Sequence, residues 1–244
     1  MKMKLSACKT ALLYALALSV PLIAAQLFSR SVTTMTEYMP IPDRHCIVID
    51  AGHGGIDGGA VSCTGVPESG INLQIAQRLD DLMHLVGYKT LMLRQTDTSL
   101  HTEGTTIAQQ KVSDLKYRVN VINNTENALL VSIHQNTFSD SRYRGSQVFY
   151  ASDDDSQELA QSLQEAMSAS LHPGSHRKAK QAKGIYLMEH IQCTGVLIEC
   201  GFLTNPEEEA LLRSETYQQK LSSVIAASLS SYLNQRKLEH TTIG

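Results

Sequence analysis

The stretch Ile47-Val-Ile-Asp-Ala-Gly-His53-Gly-Gly-Ile-Asp-Gly-Gly-Ala60 decides how the rest of the sequence is interpreted. Its first residues form a short apolar run, rich in β-branched side chains, that ends at Asp50 and is typical of a buried strand. The glycines that follow predict a loop that turns tightly around His53. Such a loop could cradle a phosphate, but neither the G-x-x-x-x-G-K-S/T nor the G-x-G-x-x-G pattern is present. A metal-binding histidine and a structural histidine both remain open.

The composition of the 244 residues favours one globular domain behind a separable N-terminus. Hydrophobic residues make up 42% of the chain, which is enough for a sizeable core. The net charge of −3 argues against general polyanion binding, so nucleic acid is not an expected partner. Tryptophan is absent and aromatic residues amount to 5%, which argues against a carbohydrate-stacking module. The five cysteines form no C-x-x-C pair, and one disulfide stays open.

Residues 1–28 combine a positively charged start with an apolar segment. Three lysines precede an apolar stretch that ends at Phe28, the layout of a secretory signal peptide or of an uncleaved membrane anchor. Either interpretation predicts an extracytoplasmic protein, secreted or anchored to the cytoplasmic membrane and facing the cell wall. Residues 29–44 are polar, contain two prolines and predict a linker. Residues 45–237 then form the main domain.

Apolar periodicity along this domain predicts strands that alternate with helices. A strand–helix–strand order indicates parallel pairing with right-handed crossovers, as in an α/β fold. Polar segments at 95–110, 135–144 and 172–183 predict loops, and Asn205-Pro206 predicts a turn. The predicted strands are 47–50, 88–93, 128–134, 146–150 and 195–201. One predicted helix ends near Val86, and three further helices are predicted at 113–124, at about 153–171 and at about 215–233.

Potential metal ligands follow the predicted strands. Three apolar strands lead into His53, His134 and Glu199, and Glu68 stands just before a helix. In an open α/β sheet, ligands bind beyond the carboxyl ends of the strands, so one site can gather all four side chains. A catalytic zinc takes three protein ligands, often two histidines and one glutamate, and leaves a position for water. A further carboxylate can serve as general base and acid, so the inventory fits amide hydrolysis.

Four motifs follow one another in a fixed order. They are Asp50-Ala-Gly-His53-Gly-Gly, Glu68 with Asn72-Leu73, Ser132-Ile-His134-Gln-Asn136, and Ile198-Glu199-Cys-Gly-Phe-Leu-Thr-Asn205. Together they resemble the zinc-dependent N-acetylmuramoyl-L-alanine amidases of the Amidase_3 type over about residues 46–233. Arg94 with Asp97, and Arg118, are similar to supporting positions of that family.

The resemblance implies a fold, a cofactor and a reaction. The implied fold is α/β, a twisted, mostly parallel sheet of about six strands with helices on both faces. By the resemblance, His53, Glu68 and His134 bind a zinc ion (Zn2+), and Glu199 is the catalytic carboxylate. The implied reaction cleaves the amide between N-acetylmuramic acid and L-alanine of the peptidoglycan stem peptide. The segment 144–150 and the N-terminus look most like the amidases that prepare spore-cortex peptidoglycan.

Two other classes of protein share part of this inventory. A peptidoglycan peptidase or a deacetylase would carry a similar zinc site, and its products would distinguish it from an amidase. A non-catalytic wall-binding protein would hold a structural zinc, which normally has four protein ligands and often cysteines. The sequence shows no cysteine cluster, and that reading leaves Glu199 without a role. The expected partners are therefore peptidoglycan and, if the N-terminal segment is uncleaved, the membrane; the sequence does not indicate whether a protein activates the enzyme.

Overall fold

The computed structural model of the chain describes residues 45–242. The predicted signal peptide or anchor at residues 1–28 and the predicted linker at residues 29–44 lie outside the described residues. Within 45–242, no helix is long and apolar enough to cross a membrane.

A six-stranded sheet forms the centre of the domain. Its strands are β1 (Cys46–Ala51), β2 (Lys89–Met92), β3 (Ala128–Asn136), β4 (Gln147–Tyr150), β5 (Lys180–Gln181) and β6 (Thr194–Phe202). Across the sheet they follow the order β2-β1-β3-β6-β4-β5. β2, β1, β3 and β6 are mutually parallel, whereas β4 runs antiparallel to β6 and pairs in parallel with β5. The predicted α/β fold with a mostly parallel sheet is confirmed.

Helices cover both faces of this sheet. They are α1 (Glu68–Leu85), α2 (Ile107–Asn123), α3 (Asp154–Leu171), α4 (Tyr186–His190), α5 (Pro206–Leu212) and α6 (Glu215–Thr242). Side chains of a strand alternate between the faces, and β1 accordingly sends Ile47 and Ile49 into one core and Val48 into the other. The larger core includes side chains of α1, α3 and α6, and the smaller core includes side chains of α2 and α4.

The buried face of α1 follows from its sequence spacing. Ile75, Leu79 and Met83 recur at intervals of four residues, lie on one side of the helix and are fully buried. Val86 was predicted on the same face, but it is 44% exposed. The helix ends at Leu85, so Val86 caps it and no longer follows the helical direction.

Helix α2 starts earlier than predicted. The sequence analysis placed a loop over 95–110 and a helix over 113–124, whereas α2 begins at Ile107. The Thr106 hydroxyl accepts the backbone N–H of Gln109, and the Gln109 side chain accepts the N–H of Thr106. This reciprocal capping box starts a helix, and the Thr-x-x-Gln pattern was its overlooked sequence signal.

Other differences concern short elements and the last helix. The sequence predicts only a turn at Asn205-Pro206. In the structure the Asn205 side chain caps α5 by accepting the backbone N–H groups of Glu207 and Glu208, and Pro206 occupies the first turn of this helix. The two-residue β5 lies in the predicted loop 172–183, and α4 was not predicted at all. Helix α6 continues to Thr242 instead of ending near Leu233. The four cysteines that the structure describes are free thiols.

Truncation of Leu79 tests the packing of α1. Leu79→Ala removes a fully buried side chain and should lower the free energy of unfolding by about 2–5 kcal/mol. Leu85→Ala is the matched control, because this leucine of the same helix is 81% exposed. Urea denaturation measures both variants. Equal losses in the two variants would contradict the assigned orientation of the helix.

Candidate active site

The end of β1, the end of β3 and the start of α1 bring three side chains together. His53, Glu68 and His134 offer ligand atoms that all lie within 4.8 Å of one another. His53 Nε2 is 3.4 Å from Glu68 Oε2, and His134 Nδ1 is 3.1 Å from Glu68 Oε1. Two imidazoles and one carboxylate are a donor set that fits a transition-metal ion.

The glycines around His53 allow this close approach. A Cβ atom at Gly52 would lie 2.2 Å from Cε1 of His134. At Gly59, a Cβ atom would lie 2.7 Å from Oε2 of Glu68 and as close to the His53 ring. Both positions therefore require a residue without a side chain, because a larger one would displace the converging side chains of His53, Glu68 and His134.

The carboxylate of Glu68 is held by several donors. Its Oε1 accepts the backbone N–H of Gln135 and the side-chain amide of Asn72, both at 3.0 Å. Its Oε2 accepts the backbone N–H of Ala60 at 3.0 Å. Burial raises the pKa of Glu68, but the hydrogen bond and charge of His134 outweigh burial and lower the pKa to about 2. Glu68 is therefore ionised at neutral pH, as a metal ligand must be.

Asp57 orients the ring of His53, a role that the sequence analysis did not identify. Its Oδ2 lies 3.0 Å from His53 Nδ1, and its Oδ1 lies 2.8 Å from Lys111 Nζ. Burial raises the pKa of Asp57, whereas hydrogen bonds from Lys111 and His53 lower it to about 2. A histidine that donates Nδ1–H to a carboxylate leaves Nε2 free as an acceptor. The acidic residue four positions after His53 is the sequence feature that could have indicated this contact.

A buried ion pair ties α2 to the ends of β1 and β3. The guanidinium of Arg118 donates to the carboxylates of Asp50 and Asp114 and, at 2.7 Å, to the carbonyl of His53. Ser132 Oγ donates to Asp50 Oδ2 at 2.7 Å. Burial raises the pKa of Asp50, but the charges of Arg118 and His134 and the hydrogen bonds from Ser132 and Arg118 together keep that pKa below its usual value. Asp50 thus supports the glycine loop through Arg118, which also binds the carbonyl of His53.

Arg94 also holds the backbone of the glycine loop. Its guanidinium donates to the carbonyls of Ala51 at 2.8 Å, Gly52 at 3.0 Å and Ser69 at 2.8 Å. Asp97 lies 3.8 Å from this guanidinium and accepts the backbone N–H of Gly55 at 3.1 Å. The two residues fix the backbone from which His53 projects.

Glu199 lies beside the three potential ligands and is not part of their group. In the register of β3 and β6 it stands opposite His134. Its Oε2 is buried and has no hydrogen-bond partner among the described residues. Burial raises the pKa of Glu199, the His134 charge lowers it and the Glu68 charge raises it, with a net value of about 7. Such a carboxyl group can take up and release a proton near neutral pH.

A cleft of about 380 Å³ opens above these residues. His53, His134 and Glu199 line it, together with a charged wall and an apolar wall. The charged wall comprises Asp57, Lys111, Asp114 and Arg118, and the apolar wall comprises Ile185, Tyr186, Leu187 and Leu197. A parallel α/β sheet with titratable residues in a cleft at its strand ends defines an α/β enzyme.

Comparison with known proteins gives the family. The profile of the N-acetylmuramoyl-L-alanine amidase family, Amidase_3, matches residues 47–231. The chain is 38% identical over 192 residues to the germination-specific N-acetylmuramoyl-L-alanine amidase of Bacillus subtilis (strain 168), an alignment covering 78% of this chain and 80% of that relative. It is 26% identical over 236 residues to the N-acetylmuramoyl-L-alanine amidase AmiA of Escherichia coli (strain K12), an alignment covering 78% of this chain and 77% of that relative.

Solved structures agree with the sequence comparison. The CwlD amidase of Clostridioides difficile, solved in complex with the GerS lipoprotein, matches with a TM-score of 0.75 and 39% identity, covering 78% of this chain and 98% of that chain. An N-acetylmuramoyl-L-alanine amidase of Clostridium difficile 630 matches with a TM-score of 0.68 and 30% identity, covering 79% and 98%.

The chain belongs to the N-acetylmuramoyl-L-alanine amidase family. It is an enzyme that hydrolyses the amide bond between N-acetylmuramic acid and L-alanine, and the predicted enzyme class is confirmed. The alternatives of a peptidase, a deacetylase and a non-catalytic wall-binding protein are thereby set aside.

Removal of Arg118 tests the buried ion pair. Arg118→Met leaves Asp50 ionised and buried without its partner, which should cost about 3–5 kcal/mol of folding free energy at pH 7. Asp50 has a lowered pKa in the native enzyme, so its contribution is fully present above its unfolded pKa of about 3.9. The difference between variant and wild type should therefore shrink as the pH falls from that value through the lowered pKa of native Asp50.

Urea denaturation at pH 7 and at pH 2.5 measures this effect. Arg142→Met is the control, because Arg142 pairs with Asp140 on the surface and its loss should change little. A loss for Arg118→Met that stays the same at both pH values would contradict the role given to Asp50.

Proposed function

We propose that this amidase depends on zinc, with His53, Glu68 and His134 as metal ligands and Glu199 as general base and acid. The observation that carries the proposal is the contrast between two buried carboxyl groups. Glu68 is surrounded by donors that keep it ionised, whereas Glu199 has an unpartnered oxygen and a pKa raised to about 7. Environments that separate two pKa values in this way distinguish a charge-carrying ligand from a proton-transfer group.

The donor set supports zinc as the metal. Imidazole nitrogen and carboxylate oxygen are ordinary zinc ligands, and three of them leave room for a non-protein ligand. When bound, zinc supplies Lewis acidity that polarises a carbonyl group and lowers the pKa of water. Asp57 would keep the Nε2 atom of His53 available by accepting its Nδ1–H at 3.0 Å.

Glu199 has two successive tasks in the proposed reaction. As a base it accepts a proton from the water whose oxygen bonds to the carbonyl carbon of the scissile amide. The bond from that carbon to the L-alanine nitrogen then breaks, and the Glu199 carboxyl group returns the proton to the leaving amine. The products are a lactyl carboxylic acid on the sugar and a peptide with a free L-alanine amine.

We further propose that the enzyme acts on peptidoglycan outside the cytoplasmic membrane, in the cell wall or spore cortex. The charged and apolar start of the chain supports export, and the B. subtilis relative is named as germination-specific. The similar C. difficile structure contains a lipoprotein partner, and this supports a protein partner for the present chain as well.

Replacement of the two glutamates tests their separate roles. Glu199→Gln should keep zinc and the native fold but lose about 10²–10⁴-fold in turnover, because proton transfer is removed. Glu68→Gln should instead weaken zinc binding, because a charged ligand is lost. Zinc content after gel filtration and product analysis on purified peptidoglycan measure the two effects. Near-normal hydrolysis by Glu199→Gln, or zinc loss equal to that of Glu68→Gln, would contradict the assignment.

A reporter fusion tests the location. An alkaline phosphatase fused after Gly244 should be active, because this reporter needs the oxidising environment outside the membrane. The same fusion without residues 1–28 is the control and should be inactive. A full-length fusion that accumulates but is as inactive as this control would refute export.

A further inference from the structure

The apolar wall of the active-site cleft carries one polar group whose role the reaction does not explain. Ile185, Leu187 and Leu197 line this side together with Tyr186. The Tyr186 hydroxyl has no hydrogen-bond partner among residues 45–242, and the residue is half-buried. A tyrosine in a cleft usually pairs its hydroxyl when it is covered, so this one is available to a ligand.

The ring of Tyr186 is held in position by its own helix. It stacks on the ring of His190, with ring centres 3.9 Å apart and an angle of 20° between the planes. His190 Nδ1 lies 2.8 Å from the carbonyl oxygen of Tyr186. A ring that is fixed before binding loses little conformational entropy when a ligand contacts it, which favours a binding role.

Helix α4 is in turn fixed to the body of the domain. Leu187 and Met188 are buried in the smaller core. The side chain of Asn123 donates to the carbonyl of His190 at 3.0 Å and accepts the N–H of Gln192 at 2.9 Å. The wall is therefore anchored to the body of the domain that also carries Glu199.

The chemistry of the wall selects one side of the scissile amide. A sugar presents several hydroxyl groups, whereas the side chains of this wall offer a single polar group, the Tyr186 hydroxyl. The peptide side presents the methyl group of L-alanine and the next peptide bond. A methyl group suits the Ile185 and Tyr186 surface, and one peptide group suits one hydroxyl.

We propose that Tyr186, with Ile185, forms the subsite for the L-alanine residue of the substrate. The ring packs against the L-alanine methyl group, and the hydroxyl hydrogen-bonds to the peptide bond that follows it. This inference rests on the proposed arrangement of zinc ligands and Glu199, which places the scissile carbonyl beside them.

Two substrates and two variants of Tyr186 test the subsite. The zinc-loaded full chain is assayed on purified muropeptides that carry either L-alanine or glycine as the first stem residue. Wild type should prefer L-alanine by about 10–200-fold in kcat/KM, the range that a methyl group gives in a fitted pocket. Tyr186→Ala should reduce this preference to a few-fold and raise KM about 10-fold, with zinc content unchanged.

The second variant and a control separate binding from structure. Tyr186→Phe retains the ring, so it should keep the L-alanine preference while KM rises about 2–10-fold through the lost hydrogen bond. Tyr117→Ala removes a tyrosine that is 38% exposed and outside the cleft lining, and should change neither quantity.

The outcomes distinguish this inference from the proposed mechanism. An unchanged L-alanine preference in Tyr186→Ala, in enzyme with full zinc and Glu199-dependent turnover, overturns the subsite alone. Zinc loss in Tyr186→Ala also overturns it, because Tyr186 would then support the metal centre. An unchanged KM in Tyr186→Phe overturns the role of the hydroxyl. Failure of the zinc and Glu199 assignments would be detected separately, in the Glu68→Gln and Glu199→Gln variants.

Discussion

Parallel strands end at one edge of a sheet, and their register decides which side chains meet there. In this amidase Asp50 of β1 lies opposite Ser132 of β3, and His134 of β3 lies opposite Glu199 of β6. A slip of one residue would turn all of these side chains to the other face of the sheet. A slip of β1 would also exchange the cores into which Val48 and Ile49 pack, and the resulting misfit of side-chain volumes opposes it, so core packing also positions the active site.

Three acidic side chains, Asp50, Glu68 and Glu199, lie at this edge of the sheet. The charges and hydrogen-bond donors around each carboxyl group determine what it can do. Asp50 is neutralised by Arg118 and held by Ser132, so it is a structural charge. Glu68 receives backbone and side-chain donors and faces two histidines. Glu199 retains a buried oxygen without a partner. A carboxylate oxygen without a partner in a cleft supports the proton-transfer role proposed for Glu199.

Much of the fold could be predicted from the sequence because its central strands are strong signals. Continuous apolar runs in β1, β3 and β6 are too long and too rich in branched residues to form loops, and each leads into a polar residue of the site. The order of the four motifs identified the family although their spacing spans most of the chain. What the motifs could not show was that the side chains of His53, Glu68 and His134 converge, since contact depends on strand register.

The remaining parts of the site depend on features that short sequence windows do not show. Asp57 lies among glycines and resembles a turn residue, while its contact to His53 is a three-dimensional fact. Lys111 lies in the first part of α2, before residue 113, where the sequence does not predict a helix. Helix α4 is five residues long, too short for a helical period to emerge, yet it supplies one wall of the cleft.

In the proposed site, two histidines and Glu68 hold the metal, and Glu199 lies close by without coordinating it. X-ray absorption at the zinc edge, combined with a crystal structure phased on the zinc anomalous signal, tests it directly. We expect one zinc per chain, bound by imidazole nitrogen of His53 and His134, by carboxylate oxygen of Glu68 and by a non-protein ligand. Coordination by Glu199, a cysteine sulfur on the metal, or a zinc ion located away from these three residues would contradict it.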